Sequence, residues 1–456
     1  MISLWWVCKL KAMFRKITFS IKKLNFYLLF VLFPFQIWAQ QSDSLPHESF
    51  SIHAQATVIT QTKPGFSARY SGKNSLSPNA ETRLSYTSTL FLSGRLWSGG
   101  SLTINPEVAG GSGLSGSVGV GASTNGESYR IDNPMPTFDL ARIFLRQYIP
   151  LTKETVYIPA GFNTLAGIIP QRYISVIIGK ISVADFFDNN TYSHDPRTQF
   201  MSWALMSNGA WDFPANTRGY TPSLVLEYVT PKNELRYGFS LVPMEANGMK
   251  MNWNIRMAGS HTLEYTRNYN FNGIKGALRL VSFFTTANMG NYNQSLALYT
   301  SRPDVIATER TGNTKYGFGI NSEQSLTKDL GLFMRASWND GNNETWAFTE
   351  MDRSLSFGLS SAGRKWNRPA DYMGFALVTS GLSISHRNYL KAGGSGFELG
   401  DGNLNYGTEA LAEYYYSLAI SKNIFLSGAY QFILNPGYNK DRGPVNVFSV
   451  RVHLVI

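Results

Sequence analysis

The feature that most constrains this chain is a two-residue alternation of apolar and polar side chains that returns along nearly its whole length. In residues 82–97, Leu84, Tyr86, Leu90, Leu92 and Leu96 fall on one face, and Arg83, Ser85, Thr87, Thr89, Ser93 and Arg95 on the other. In residues 139–149, Ala141, Ile143, Leu145 and Ile149 alternate with Arg142, Phe144, Arg146 and Tyr148. A period of two places successive side chains on opposite faces of a strand, and a helix cannot satisfy it. Comparable stretches lie near 50–60, 100–109, 154–161, 173–181, 220–230, 234–242, 260–269, 275–288, 293–300, 315–326, 330–339, 347–360, 371–383, 407–421, 424–435 and 445–456, making 18 strand candidates. Breakers such as Pro231-Lys232-Asn233, Thr327-Lys328-Asp329 and Lys422-Asn423 read as hairpin turns, and longer polar segments alternate with them.

Alternation alone does not separate a soluble sandwich from a membrane barrel, and here composition enters. Charged residues make up 16% of the chain, well below the ~25% of soluble domains, while aromatics reach 14%. The mean hydropathy of −0.16 excludes a polytopic helical membrane protein. Candidate strands of ~10 residues, short and long connections in alternation, and a last strand running to Ile456 all suit a membrane barrel. Closure also removes sheet edges that so many strands would otherwise expose. The expected fold is therefore all-β, a transmembrane antiparallel β-barrel of 16 or 18 strands, wide enough for an aqueous channel and carrying a long inward-folding loop.

The net charge of +11 is concentrated at the start. Lys9, Lys11, Arg15, Lys16, Lys22 and Lys23 all lie in the first 40 residues, which hold no Asp or Glu. The remainder shows no clustered basic footprint, so nucleic acid is not an expected partner. The basic stretch is followed by the apolar run 24–38 and the small residue Ala39, the order of a secretory signal. The run is shorter than the ~20 apolar residues of a spanning helix, and Pro34 interrupts it. The expected organisation is a signal peptide at 1–39, starting at Met1 or Met13, a short segment at 40–49, and a barrel over 50–456. The single cysteine, Cys8, falls in the part removed, so no disulfide or thiolate metal site is expected.

Several segments resemble hallmark stretches of the carbohydrate-selective porin (OprB-type) family. They include Asn105-Pro-Glu-Val-Ala-Gly-Gly-Ser-Gly-Leu-Ser-Gly116, residues 141–147, 188–200, Asn216-Thr-Arg-Gly-Tyr220, 343–346, 386–390, 404–406 and 435–444. The resemblance runs in family order over about residues 50 to 456. It implies an outer-membrane barrel that passes mono- or oligosaccharides passively through a water-filled channel, exported to the bacterial outer membrane, in contact with its lipid, and compatible with a homo-oligomer. A general non-selective porin and an outer-membrane barrel hydrolase are the alternatives. Two departures are the lack of an extra N-terminal domain and Ile456 in place of a terminal aromatic.

With the apolar face of each strand toward lipid, the alternate face lines the lumen. That assigns Arg83, Arg95, Arg142, Arg146, Arg236, Arg279, Arg335 and Arg451 inward, with Glu107, Glu227, Glu264, Glu350, Asp352 and Glu413. Nearly balanced guanidinium and carboxylate groups suit neutral polyols, whose hydroxyls both donate and accept. Arg142 and Arg146, about 13 Å apart along one strand face, are expected to oppose Glu107 or its neighbours across the lumen, with Phe144 between them as a platform for a pyranose ring. The segment 182–218 is the constriction candidate, carrying Asp185, Asp188, Asn189, Asn190, His194, Asp195, Arg197, Trp203, Trp211 and Asp212.

Other signals carry less. Gly111-x-Gly113-x-x-Gly116 matches a dinucleotide fingerprint, but Val118-Gly-Val-Gly121 follows where a helix is needed. The six histidines show no metal-ligand spacing, and neither metal nor cofactor is expected. A hydrolase would pair His194 with Ser193 or Ser202, and a glycosidase would use an acid pair such as Glu350 and Asp352. Those two acids fall on one strand candidate, where wall lining is the simpler role.

Overall fold

The computed structural model describes residues 47–128, 133–298 and 302–456. The expected signal peptide and residues 40–46 lie outside the described residues. Sixteen strands close into an antiparallel barrel. They are β1 (Phe50–Lys63), β2 (Glu81–Trp97), β3 (Gly100–Gly111), β4 (Asn133–Pro150), β7 (Tyr173–Ile181), β8 (Thr221–Val229), β9 (Asn233–Ser240), β10 (Gly259–Phe271), β11 (Ile274–Ala287), β12 (Asn313–Ser325), β13 (Leu330–Asn339), β14 (Arg353–Gly363), β15 (Arg368–Gly381), β16 (Glu409–Ala419), β17 (Ile424–Leu434) and β18 (Val445–Val455). Each pairs with its neighbour in the chain, and β1 closes on β18 from Gln55↔Val455 to Thr62↔Phe448. The remaining strands, β5 (Thr155–Ile158) and β6 (Gly167–Pro170), form a separate hairpin between β4 and β7.

Two of the 18 strand candidates are therefore not barrel strands. Residues 154–161 enter the small hairpin. Residues 293–300 overlap a helix, Tyr292–Leu298, because Asn291 Oδ1 accepts the Gln294 N–H at 3.0 Å and Tyr292, Ser295 and Leu296 turn inward at helical spacing. The candidate at 347–360 is displaced as well: β14 starts at Arg353, and the residues before it belong to a loop.

Burial is inverted relative to a water-soluble protein. Ile52, Leu84, Leu90, Leu263, Phe318, Leu377 and Val450 are exposed on the outer face, whereas Thr57, Thr89, Glu107, Glu264, Arg335, Glu413 and Arg451 are buried inside. Such an exterior is stable in lipid and costly in water, at ~25 cal/mol per Å² of apolar surface. The connections β2–β3, β8–β9, β10–β11, β12–β13, β14–β15 and β16–β17 are a few residues long, and those at the other end are much longer. By the convention of such barrels the long loops are extracellular and the short turns periplasmic. The β5–β6 hairpin is at the periplasmic end.

Candidate functional site

The site begins with the loop between β7 and β8, residues 182–220, most of which is buried inside the barrel. A peptide placed there must satisfy its backbone groups without bulk water, since each one left unpaired costs ~1–3 kcal/mol. Wall charges supply the partners. Glu413 on β16 accepts the N–H groups of Met201 at 2.6 Å and Ser202 at 3.0 Å. Glu264 on β10 accepts the Asp188 N–H at 2.6 Å. Arg335 on β13 donates to the carbonyls of Leu205 at 2.8 Å and Ser193 at 2.7 Å and pairs with Asp188 at 3.3 Å. Arg451 on β18 donates to Pro196 and Gln199, both at 2.7 Å. These inward charges hold the loop against the wall.

What the loop leaves free is a cavity of about 330 Å³ beside the first strands of the barrel. Its placement starts with Pro106, which has no N–H for the ladder. At Pro106 the β3–β4 register slips: Asn105 faces Arg142 but Pro106 faces Leu140, leaving Ala141 as the extra residue. A bulge of this kind re-aims side chains, and here Arg142 turns inward beside Glu107. Arg142 grips the loop residue Asp185 bidentately, at 2.6 and 2.7 Å, and lies 5.1 Å from the centre of the Tyr220 ring. Glu107 accepts Thr89 Oγ1 at 2.7 Å, Tyr220 Oη at 2.9 Å and Arg197 Nη2 at 3.3 Å. Arg197 also reaches Glu127 at 2.7 Å, and Asp195 aims it by accepting its backbone N–H at 2.9 Å. Arg142, Arg197 and Arg218 therefore line the cavity with Glu107, Glu127, Asp185 and Asp195, a wall of nearly balanced sign.

An aromatic face completes the cavity. Trp203 stacks on Phe348 with ring centres 5.2 Å apart and 9° between planes, Phe213 meets Phe348 at 4.2 Å, and Trp203 Nε1 donates to the Asn125 carbonyl at 3.0 Å. Among the described residues, several buried polar atoms of the lining have no protein partner: Gln55 Oε1, Asn163 Oδ1, Thr217 Oγ1, Arg142 Nη1 and His194 Nδ1. Burial, followed by the field of Arg335, lowers the His194 imidazole pKa and favours its neutral form. The cavity thus offers donors and acceptors next to apolar ring faces.

Among the residues singled out from sequence, Glu107, Arg142, Asp185, His194, Asp195, Arg197 and Trp203 come together here. The others lie elsewhere. Arg83 is exposed near the extracellular end of β2, 3.3 Å from Glu81. Phe144 faces inward but is covered by Phe186, edge to face at 6.0 Å, so it presents no free platform. Arg146 bonds Tyr148 Oη at 3.2 Å and lies 5.3 Å from the Phe186 ring, outside the cavity lining. Arg142 does not oppose Glu107 across the lumen, because β3 and β4 are adjacent. Asp188 anchors the loop, and Asn189 bonds Asn321 and the Asp185 carbonyl. Trp211 is fully buried against Phe187 and Phe213.

Glu350 and Asp352 precede β14 instead of lying on a strand. Glu350 accepts the Glu398 N–H at 2.9 Å, and Asp352 accepts the Ser383 N–H at 2.8 Å and faces His386 Nδ1 at 3.0 Å. Ser193 and Ser202 donate to the carbonyls of Leu205 and Ala122, not to His194. Sequence reasoning missed Glu127, Phe213 and Phe348. Tyr220 ended a segment that carried the family resemblance and could have been marked by it.

Comparison with known proteins adds three findings. The family model "Carbohydrate-selective porin, OprB family" matches residues 73–455. Porin AaxA of Chlamydia trachomatis serovar D is 23% identical over 288 residues, 63% of this chain and 53% of the relative; Porin AaxA of Chlamydia abortus is 23% identical over 298 residues, 64% and 56% of the two chains. The chain thus spans about half the length of the curated relatives it matches. The solved structure of Pseudomonas putida OprB superposes with a TM-score of 0.67 at 16% identity, over 90% of this chain and 94% of that one, and so shares the fold.

Proposed function

The chain belongs to the OprB family of carbohydrate-selective porins, and from that premise we propose that it is a bacterial outer-membrane channel for passive diffusion of neutral mono- or oligosaccharides. The observation that carries this reading is the cavity beside β1–β4. Its three guanidinium and four carboxylate groups are largely paired with one another, which leaves little net field to draw in an ion of either sign. The groups without partners among the described residues, Gln55 Oε1 and Asn163 Oδ1 as acceptors and Arg142 Nη1 as a donor, match hydroxyls, which donate and accept. The Trp203 and Phe348 rings suit the apolar C–H face of a sugar ring. In this reading Glu107, Arg142, Arg197 and Trp203, with His194 and Asp195, form the constriction, and the channel performs no chemistry.

Liposome swelling tests the proposal. Neutral sugars are expected to enter faster than amino acids of the same size, and sugar is expected to block the ion current through single channels. Equal swelling rates for the two solute classes would reduce the protein to a general porin.

A further inference from the structure

The β5–β6 hairpin has no part in closing the barrel. At this end of the barrel the other strand-to-strand connections are short turns, yet β4 and β7 are joined by residues 151–172. The two short strands pair from Thr155↔Pro170 to Ile158↔Gly167, and the tip beyond them reaches the lumen. Phe162 at the tip stacks on Phe91 of β2, with ring centres 4.6 Å apart and 24° between planes, and meets His53 of β1 edge-on at 6.3 Å. Phe91 faces inward and is only 3% exposed. Phe91, Phe162 and Asn163 all line the cavity described above.

The hairpin is fastened where it turns inward. Arg95 donates to the Glu48 carbonyl at 2.8 Å and the Ala166 carbonyl at 3.0 Å. Glu48 in turn accepts the Ala166 N–H at 2.8 Å through its side chain and donates its own N–H to the Ala166 carbonyl at 3.0 Å. Gly167 suits this joint: its φ of +154° is one that other residues rarely adopt, and a Cβ there would push aside the Arg95 guanidinium tip, 2.4 Å away. A connection tied to the wall at its base and stacked on it at its tip is held in the passage.

We propose that this hairpin is the exit constriction of the channel, and that Phe162 and Asn163, with Phe91 and Gln55, form the periplasmic wall of the sugar-contact cavity. The inference rests on the carbohydrate reading for the identity of the solute but not for the position of the hairpin in the path. The stacked Phe91–Phe162 pair presents apolar surface, and Asn163 Oδ1 and Gln55 Oε1 are buried acceptors without partners among the described residues. Trp203 and Phe348 come from extracellular loops and Phe162 from the periplasmic end. A solute passing inward meets the first aromatic pair and then the second.

Single-channel recording on the full chain tests this, after native heat-modifiability is verified on unboiled gels. Phe162→Ala is expected to raise ion conductance and to raise the sugar concentration for half-block about tenfold, equivalent to about 1.4 kcal/mol of lost contact. Phe162→Trp is expected to lower conductance. Asn163→Cys introduces a thiol into a chain whose only other cysteine is Cys8, and a charged thiol reagent added from the periplasmic side is expected to reduce the current. Unchanged conductance in both Phe162 variants, with no effect of the reagent on Asn163→Cys, would overturn the proposal. Altered conductance in a channel whose wild type shows no sugar block would instead refute the carbohydrate reading and leave the hairpin in the path.

Discussion

Two arcs of the same barrel wall use the same residue types in opposite ways. From β10 to β18, Glu264, Arg335, Glu413 and Arg451 face inward and are covered by the inserted loop, whose backbone groups complete their hydrogen bonding. From β1 to β4, Gln55, Glu107 and Arg142 also face inward; Glu107 and Arg142 bond the loop as well, but all three border a cavity. The difference teaches that inward orientation in a wide barrel does not by itself assign a residue to the solute. The role depends on whether open space remains beside it once the loop is in place. A buried charge under the loop is a structural anchor, and the same charge beside open space is a contact for whatever passes.

The comparison breaks most severely at the buried pair Arg335–Asp188, where both side chains are essentially without exposure. Removing one member of such a pair leaves an uncompensated buried charge, at a cost of about 3–5 kcal/mol. Arg335→Ala should release the loop from the wall, lower the temperature at which the unboiled band shifts, and enlarge conductance for ions and sugars without discrimination. An Arg335→Ala channel with native conductance and native heat-modifiability would show that the covered arc does not hold the loop.

On the uncovered arc, Arg142→Lys keeps the charge but loses the planar fork that grips Asp185. The expected result is native assembly and near-native ion conductance, with sugar half-block weakened about tenfold, about 1.4 kcal/mol. The parallel replacement Arg146→Lys, below the cavity, should leave sugar block nearly unaltered. If the two variants behave alike, the distinction between cavity and wall fails at this strand.

The smallest effect concerns the extracellular cap over the covered arc. Glu344, in the loop between β13 and β14, accepts the Gly290 N–H at 2.6 Å, yet burial, with Glu309 and Glu350 nearby, pushes its carboxyl pKa up to about 8. The folded loop therefore holds the proton more tightly than an unfolded one. The stability this contributes is fully present below the ordinary carboxyl value of 4.5 and is lost as pH rises to about 8. Amide exchange at Gly290 should accelerate between pH 6 and pH 9 beyond the intrinsic chemical rate, and Glu344→Gln should remove the excess. Equal excess in the variant would assign the effect to another group.

Much of this was legible before any coordinates. The alternation in residues 82–97 and 139–149 identified β2 and the inward side of β4, and the polar segment 182–218 marked the loop that enters the lumen. Of the residues named there, Glu107, Arg142, Asp185, Arg197 and Trp203 line the cavity. The errors have physical causes. Residues 293–300 alternate like a strand, but the Asn291 cap and the inward turn of Tyr292, Ser295 and Leu296 make them a helix. Glu350 and Asp352 have the spacing of lumen neighbours on a strand but lie in a loop, accepting backbone N–H groups from other loops. Phe144 has the correct face and is covered by Phe186.

Which face of each strand meets lipid is written in the sequence, because the free energy of placing a side chain in hydrocarbon or in a polar lumen acts on one residue at a time and leaves a period of two. The long polar segment that interrupts the strands after β7 is legible there too. What lies against each inward residue depends on how distant segments pack. Arg335 and Asp188 are 147 residues apart in the chain, and Phe91 and Phe162 meet only because a periplasmic connection turns back into the barrel. A strand pattern records the side on which a residue stands. The partner on that side comes from a distant segment, and contacts of that kind leave no periodicity to read.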